Sequence, residues 1–353
     1  MTKQSACVSL VIPGLLGPQK QYPQLELHER PELKNITRLL SRATPAEYPD
    51  TDWLSVTSRL LLPNLNSRQI PFAAISAEVD CMADALNIDA VDDNVDKPAW
   101  CMRIDPVHLR IDMDSAIMLA ADELQLSEAE TNALTESINQ HLKQDGIKIH
   151  VAHPHRWYLF FDAPRTLNTT PLHQVMGNDV NELLPEGDEA MYWRSLLNEL
   201  QMLLYTHPVN QQREQRGLAA VNSVWFWGEG LVPQKNTSDW QGIYTDNDQV
   251  EMLAAFCGIP CYELNQYKAS EVNGHVMVVV TELQSLVHNQ DIFAWINALT
   301  TLDTTLFKMV REALKIKRME LFSVFPCNQQ KFELTQKQSA KWWKRSKKIA
   351  DFF

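Results

Sequence analysis

The feature that most constrains the fold is Val276-Met277-Val278-Val279-Val280, an unbroken apolar and largely β-branched run. A strand with water on one face alternates apolar and polar side chains, whereas one that is apolar throughout is covered on both faces. Val8-Ser9-Leu10-Val11-Ile12, stopped by Pro13-Gly14, reads as a second central strand. A third is expected at 321–325. Helical patterns lie at 32–42, 50–62, 249–257 and about 291–314. Strands separated by helices predict an α/β fold, a mostly parallel sheet flanked by helices.

Residues 101–162 read as a unit of another kind. Val107-His108-Leu109-Arg110-Ile111 alternates as a strand does, Asp112-Met113-Asp114 turns, and 116–119 returns as a second strand. Ser127-Glu128-Ala129-Glu130 has capping-box spacing and opens a helix that Asp145-Gly146 stops. Strands at 147–151 and 157–161 complete the order ββαββ, an inserted α+β subdomain. A helix at 189–205 gathers Tyr192, Leu196, Leu197, Leu200, Leu203 and Leu204 on one face. A strand at 221–227 follows and closes at Gly228-Glu229-Gly230. The expected division is a core of 1–100 with 200–353, and an insertion of 101–199.

Charge limits the partners. With 32 Lys and Arg against 44 Asp and Glu, the net charge of −12 argues against a general nucleic-acid coat. The charge is uneven: 308–348 holds 12 bases and three acids, a local +9 that leaves −21 elsewhere. Within it, Lys341-Trp342-Trp343-Lys344-Arg345 joins aromatic rings to cations, as base stacking or a membrane surface would require. The plainer expectation is a C-terminal helix that docks Trp342 or Trp343 on the core and exposes its bases. Seven acids and no base between Glu78 and Asp96 read as a solvated helix and loop. The six cysteines form no Cys-x-x-Cys pair and read as free buried thiols, in keeping with a reducing cytoplasm. The apolar run at 6–16 is broken by Pro13 and Gly14 and reads as a strand, not a signal peptide. No stretch approaches the roughly 20 apolar residues of a membrane span, so a cytoplasmic protein is expected.

No phosphate-cradling Gly-x-x-x-x-Gly-Lys-Ser loop, dinucleotide fingerprint or Gly-x-Ser-x-Gly elbow occurs. His150, His153 and His155 sit on a strand and a Pro-containing turn, which does not aim three imidazoles at one point. The strongest local signal is His207-Pro208-Val209-Asn210, Arg213, Arg216-Gly217, then Asn222 and Trp225-Phe226-Trp227-Gly228. Polar groups at a helix end ahead of an aromatic strand can line a cleft. Arg213 and Arg216, three apart, share a face of a helical turn, and two guanidinium forks could grip a phosphate or carboxylate without a metal. Asn222 could reach the same cleft from the sheet side. Helix capping and packing is the competing reading of all five.

The segment 207–230 resembles that of archaeal-type cofactor-independent phosphoglycerate mutases. With Val11-Ile12-Pro13-Gly14-Leu15-Leu16, 103–110, 154–159, 197–202 and 225–228, the chain is more similar still to bacterial RpfE-type regulatory proteins. The resemblance implies an alkaline-phosphatase-like α/β core carrying an inserted subdomain. It also implies, in active members, two divalent metals on Asp and His ligands and a serine that carries the phosphoryl group. Paired cations would neutralise phosphate charge and lower the serine pKa.

Against that pattern, Pro13-Gly14 stands where an Asp-Gly is expected, and Phe325-Pro326-Cys327-Asn328 replaces a late Asp-His pair. No histidine follows His288, Gln284 falls near an expected Asp, and no serine between Ser67 and Ser76 matches the nucleophile. His288 and Asp291 remain as metal-ligand remnants. The expectation is a mutase-related pseudoenzyme with no cofactor and a regulatory or binding role, whose partner is a phosphorylated small molecule or a protein. Nucleic acid is expected at most at the basic tail. The competing expectation is an active mutase or phosphatase using Mn or Zn on rearranged ligands such as Glu282, His288 and Asp291.

Overall fold

A computed structural model describes residues 5–17, 31–65, 69–80, 100–112, 115–119, 124–176, 178–235, 239–341 and 343–352. Most of the acidic stretch 78–96, Cys81, Trp342, Ser67 and the centre of the expected 112–114 turn lie outside these residues. The chain divides into two compact units, 1–65 with 235–353, and 66–234.

The first unit is built on a seven-stranded sheet. Its strands are β1 (Ala6–Val11), β2 (Thr44–Glu47), β8 (Trp240–Thr245), β9 (Cys261–Glu263), β10 (His275–Val279), β11 (Met319–Phe325) and β12 (Gln330–Thr335), numbered along the whole chain. Their order is β2-β12-β11-β1-β10-β8-β9. β1 pairs in parallel with β10 (Val8 beside Val276) and with β11 (Val8 beside Phe322), and β8 and β9 continue the parallel run. β12 and β2 close the other edge in antiparallel pairing. Val276, Met277, Val278 and Val279 are all buried, so β10 is covered on both faces as its composition requires. The expected α/β class with a mostly parallel sheet is what the structure shows.

The expected 291–314 helix is divided. Ile292–Leu302 and Lys308–Lys315 are α-helical, and Asp303–Phe307 between them is a π segment. The buried carboxylate of Asp303 accepts from the backbone N–H groups of Asn35 (2.9 Å) and Ile36 (2.7 Å), and Asn35 Nδ2 donates back to its carboxylate and carbonyl. It thereby satisfies the otherwise uncapped start of the Lys34–Arg42 helix.

The C-terminal expectation is corrected. Between the short Gln336–Ser339 helix and a 3-10 helix at Ile349–Phe352 the described chain is irregular, and Ile349 and Phe352, not Trp343, dock in the apolar core, Trp342 lying outside the described residues. Trp343 is 65% exposed.

The second unit is antiparallel. β3 (Trp100–Asp112), β4 (Ser115–Leu119), β5 (Ile149–His153) and β6 (Arg156–Phe161) reproduce the expected ββαββ order around the Glu128–Leu142 helix, whose Ser127–Glu130 capping box is formed. The sheet runs β4-β3-β6-β5, and β7 (Ser223–Gly230) pairs with β3 from Cys101 to Val107. The boundaries therefore differ from those expected at 101 and 199. β7 hydrogen-bonds to the centre of β3, and the Phe72–Val79 helix packs on both strands, so each falls with this unit.

Alternation sorts the sheet's side chains. Met102, Ile104, Leu159, Val224 and Phe226 face one core with Leu134 and Ile138 of the Glu128–Leu142 helix and Trp193, Leu196 and Leu200 of the Ala190–Tyr205 helix. Tyr192 of that helix, expected on the apolar face, is 40% exposed. Cys101, Arg103 and Asp105 point the other way. Gly228, at φ +72°, lets β7 approach the Phe72–Val79 helix, because a Cβ there would lie 3.1 Å from Ala73 N.

Candidate functional site

Four of the five residues expected to line a cleft lie on and around the Pro208–Gln215 helix, in two separate sets of hydrogen bonds: His207 and Asn210 in one, Arg213 and Arg216 in the other. His207 caps the Pro208–Gln215 helix, Nδ1 accepting from Val209 N at 3.2 Å, while Nε2 lies 2.9 Å from Ser137 Oγ. Burial holds its imidazole below the ordinary histidine pKa. Asn210 is buried, donating to Leu204 O and Val221 O and accepting from Val221 N, each at 2.8 Å. Arg213, fully buried, donates to Ala219 O (2.8 Å), Leu124 O (2.5 Å) and Glu130 Oε1 (3.1 Å). Arg216, largely exposed, donates to the same Glu130 oxygen at 3.3 Å.

The two guanidiniums thus meet on a carboxylate from the Glu128–Leu142 helix instead of opening as a fork toward an anion. Burial pushes the Glu130 carboxyl up, but the Ser127 amide and hydroxyl and then Arg213 outweigh it and hold it below the ordinary value. Asn222 is spent elsewhere in the sheet. Its side chain accepts from Leu109 N (2.7 Å) and donates to Leu109 O (2.8 Å), extending the β3–β7 pairing by one residue.

A second polar network occupies the other face of the same sheet. Arg103 donates from Nε and Nη2 to the two carboxylate oxygens of Asp105, both at 2.8 Å, and Trp227 Nε1 donates to Asp105 Oδ2 at 2.7 Å. The Arg103 guanidinium lies over the Tyr158 and Trp227 rings at 5.2 and 5.3 Å. Tyr158 donates to Asp80 Oδ2 at 2.6 Å, and Arg156 holds Asp80 bidentately. Nearby, the buried Glu229 accepts from Thr169 N and Oγ1, and burial raises its carboxyl pKa. An open groove of about 680 Å³ along the start of the Ala190–Tyr205 helix, lined by Glu186, Asp188, Met191, Arg194 and Asn198, shares no residue with either network.

The positions where the resemblance implies metal ligands, Pro13-Gly14, 284–291 and 325–328, lie in the first unit, beyond the carboxyl ends of parallel strands. Pro13-Gly14 follows β1 there. Gly14 has φ +77°, a Cβ would lie 2.9 Å from Leu283 O, and its carbonyl accepts from Trp295 Nε1 at 2.8 Å. Asp291 caps the Ile292–Leu302 helix, accepting from Ala294 N at 2.9 Å, and His288 ends the preceding Glu282–His288 helix. Beyond β11, Cys327 has φ +60°. Burial, then Asp52 and Asp50, push its thiol well above the ordinary value. Asp50 itself accepts from Arg59 Nε at 2.9 Å, and burial raises the nearby Tyr48 phenol to about 12. Among the described residues no group of three or more His, Cys, Asp or Glu is arranged to hold a metal ion, the 150–155 histidines included. His150 instead packs edge-on against Phe160.

Fold and network together define a two-unit α/β protein whose inserted-order segment carries an antiparallel sheet with buried ion pairs. The family model for 2,3-bisphosphoglycerate-independent phosphoglycerate mutase matches residues 86–210. The protein of that name from Methanosarcina acetivorans is 26% identical over 121 residues, 34% of this chain and 30% of the relative. The one from Methanothrix thermoacetophila is 39% identical over 64 residues, 18% of this chain and 16% of the relative. The cofactor-independent phosphoglycerate mutase structure from Thermoplasma acidophilum aligns over 99% of this chain and 98% of its own, at 14% identity and a TM-score of 0.41. The chain is therefore related to archaeal cofactor-independent phosphoglycerate mutases, and its sequence matches span about a third or less of the length of these curated relatives.

Proposed function

We propose that this chain is a mutase-related protein of the RpfE-type regulatory kind, which acts by binding and not by two-metal phosphoryl transfer. The observation that carries the reading is the Pro13-Gly14 corner. The resemblance implies a carboxylate there, but the side chain of proline offers no ligand atom, and the Gly14 carbonyl accepts the Trp295 indole N–H. Hard divalent cations need several oxygen ligands converging on one point. Asp291, the nearest remnant, uses a carboxylate oxygen to cap a helix. The matched segment, 86–210, falls within the second unit, so the likeness speaks least about the strand ends where catalysis would occur.

The test is interconversion of phosphoglycerates by the full chain supplied with manganese or zinc. No turnover above the uncatalysed background is expected. Metal-dependent turnover that disappears in Asp291→Ala would overturn the reading in favour of a mutase with rearranged ligands.

A further inference from the structure

The first unit concentrates cations on one face of an otherwise acidic chain. The Lys34–Arg42, Lys308–Lys315 and Gln336–Ser339 helices pack on one another, and the segment after Ser339 is strapped across the end of the first. Arg42 Nη1 donates to Ser339 O at 2.9 Å, and Lys347 N donates to Ser41 Oγ at 2.7 Å. Burial and then the neighbouring Arg38 hold Arg42 below its ordinary pKa. Arg38, Lys337, Lys341, Lys344, Arg345 and Lys348 are exposed around this strap. In their midst the Trp343 side chain is 65% exposed, an unusual place for an indole in a segment otherwise so polar.

We propose that this face binds single-stranded nucleic acid, its cations tracking the phosphates and an unstacked base lying on Trp343. Clustered cations beside an exposed aromatic ring suit single strands, since every base offers a π-face. A lipid surface fits less well: anchoring there requires apolar side chains free to insert, and the tail's Ile349 and Phe352 are buried in the core. Outside 308–348 acids outnumber bases by 21, which disfavours a polyanion elsewhere, and the phosphate contacts make binding steeply salt-dependent.

The test is fluorescence anisotropy of a labelled single-stranded oligonucleotide with the full chain. Neutralising about four phosphates gives a slope near −3 in log affinity against log salt, or a weakening of roughly fifty-fold between about 50 and 200 mM. Lys344→Glu with Arg345→Glu is expected to weaken binding at least ten-fold, and Trp343→Ala by about five-fold or more. The charge-matched control Lys143→Glu with Lys148→Glu, exposed in the second unit, leaves affinity within two-fold. All these positions are exposed, and unchanged thermal melts establish that the variants fold. Three results would overturn the proposal: no binding at low salt, equal weakening by the control pair, or capture by anionic vesicles without oligonucleotide binding.

Discussion

The two units differ in what their polar residues do. In the second unit, which contains the segment matching the mutase family model, buried charges are tied together: Arg103 with Asp105, and Arg213 with Glu130. In the first unit, at the carboxyl ends of the parallel strands, the comparable positions hold a proline, a glycine carbonyl engaged by an indole, and a carboxylate used as a helix cap. The segment that matches the family model and the strand-end positions where the resemblance implies ligands therefore sit in different units. Buried, mutually bonded side chains are costly to replace one at a time whatever the chemistry elsewhere, so a likeness in one unit carries little information about chemistry in the other.

The comparison breaks most readily at Arg103. Arg103→Met leaves Asp105 buried and unpaired and should cost about 3–5 kcal/mol in denaturant unfolding, whereas adding Asp105→Leu should recover much of the loss. A loss below about 1 kcal/mol for the single variant would mean that the pair is not the structural tie described. Arg213→Met should cost about 2–3 kcal/mol, because a fully buried guanidinium leaves three acceptors behind. Arg216→Ala, on the same carboxylate but exposed, should cost less than about 0.5 kcal/mol. Comparable losses from the two would contradict the asymmetry seen at Glu130. In the first unit, Asp291→Ala should cost about 1 kcal/mol, the ordinary value of a lost helix cap, with no change in metal content.

Acid should act on the second unit in two stages. His207 has a depressed pKa in the folded protein, so its unfolded form takes up a proton first, and stability falls as pH drops through about 6.5. Glu130 is also depressed, and its contribution, present above the ordinary carboxylate value, is lost as pH falls below about 4.5. Burial holds His150 of the same unit below the ordinary value as well, so His207→Gln should shrink the earlier decline, His207→Gln with His150→Gln should shrink it further, and the later one should remain, as read from unfolding midpoints across pH.

Much of this arrangement was legible in residue order. β10 had to be covered on both faces, the Ser127–Glu130 spacing announced its capping box, and the ββαββ order followed from short-range alternation. The tertiary partners were not legible. Asp303 caps a helix 268 residues away, and Arg213 finds Glu130 83 residues away. A helical period shows which face a side chain occupies, but not what stands opposite. β7 joined the second unit for the same reason, its pairing with β3 being entirely non-local. The Arg103–Asp105 pair had a local signal that was overlooked. Two opposite charges two residues apart, with Cys101, Met102 and Ile104 around them, share one face of a strand and announce a buried ion pair.

The most direct test is elemental analysis of the full chain after dialysis against manganese and zinc, with Asp291→Ala and His288→Ala measured alongside. With proline at the first strand end and Asp291 engaged as a cap, the protein should retain substoichiometric metal, unchanged by either substitution. A stoichiometric pair of divalent ions per chain, lost in those variants, would contradict the account and restore two-metal phosphoryl transfer to this protein.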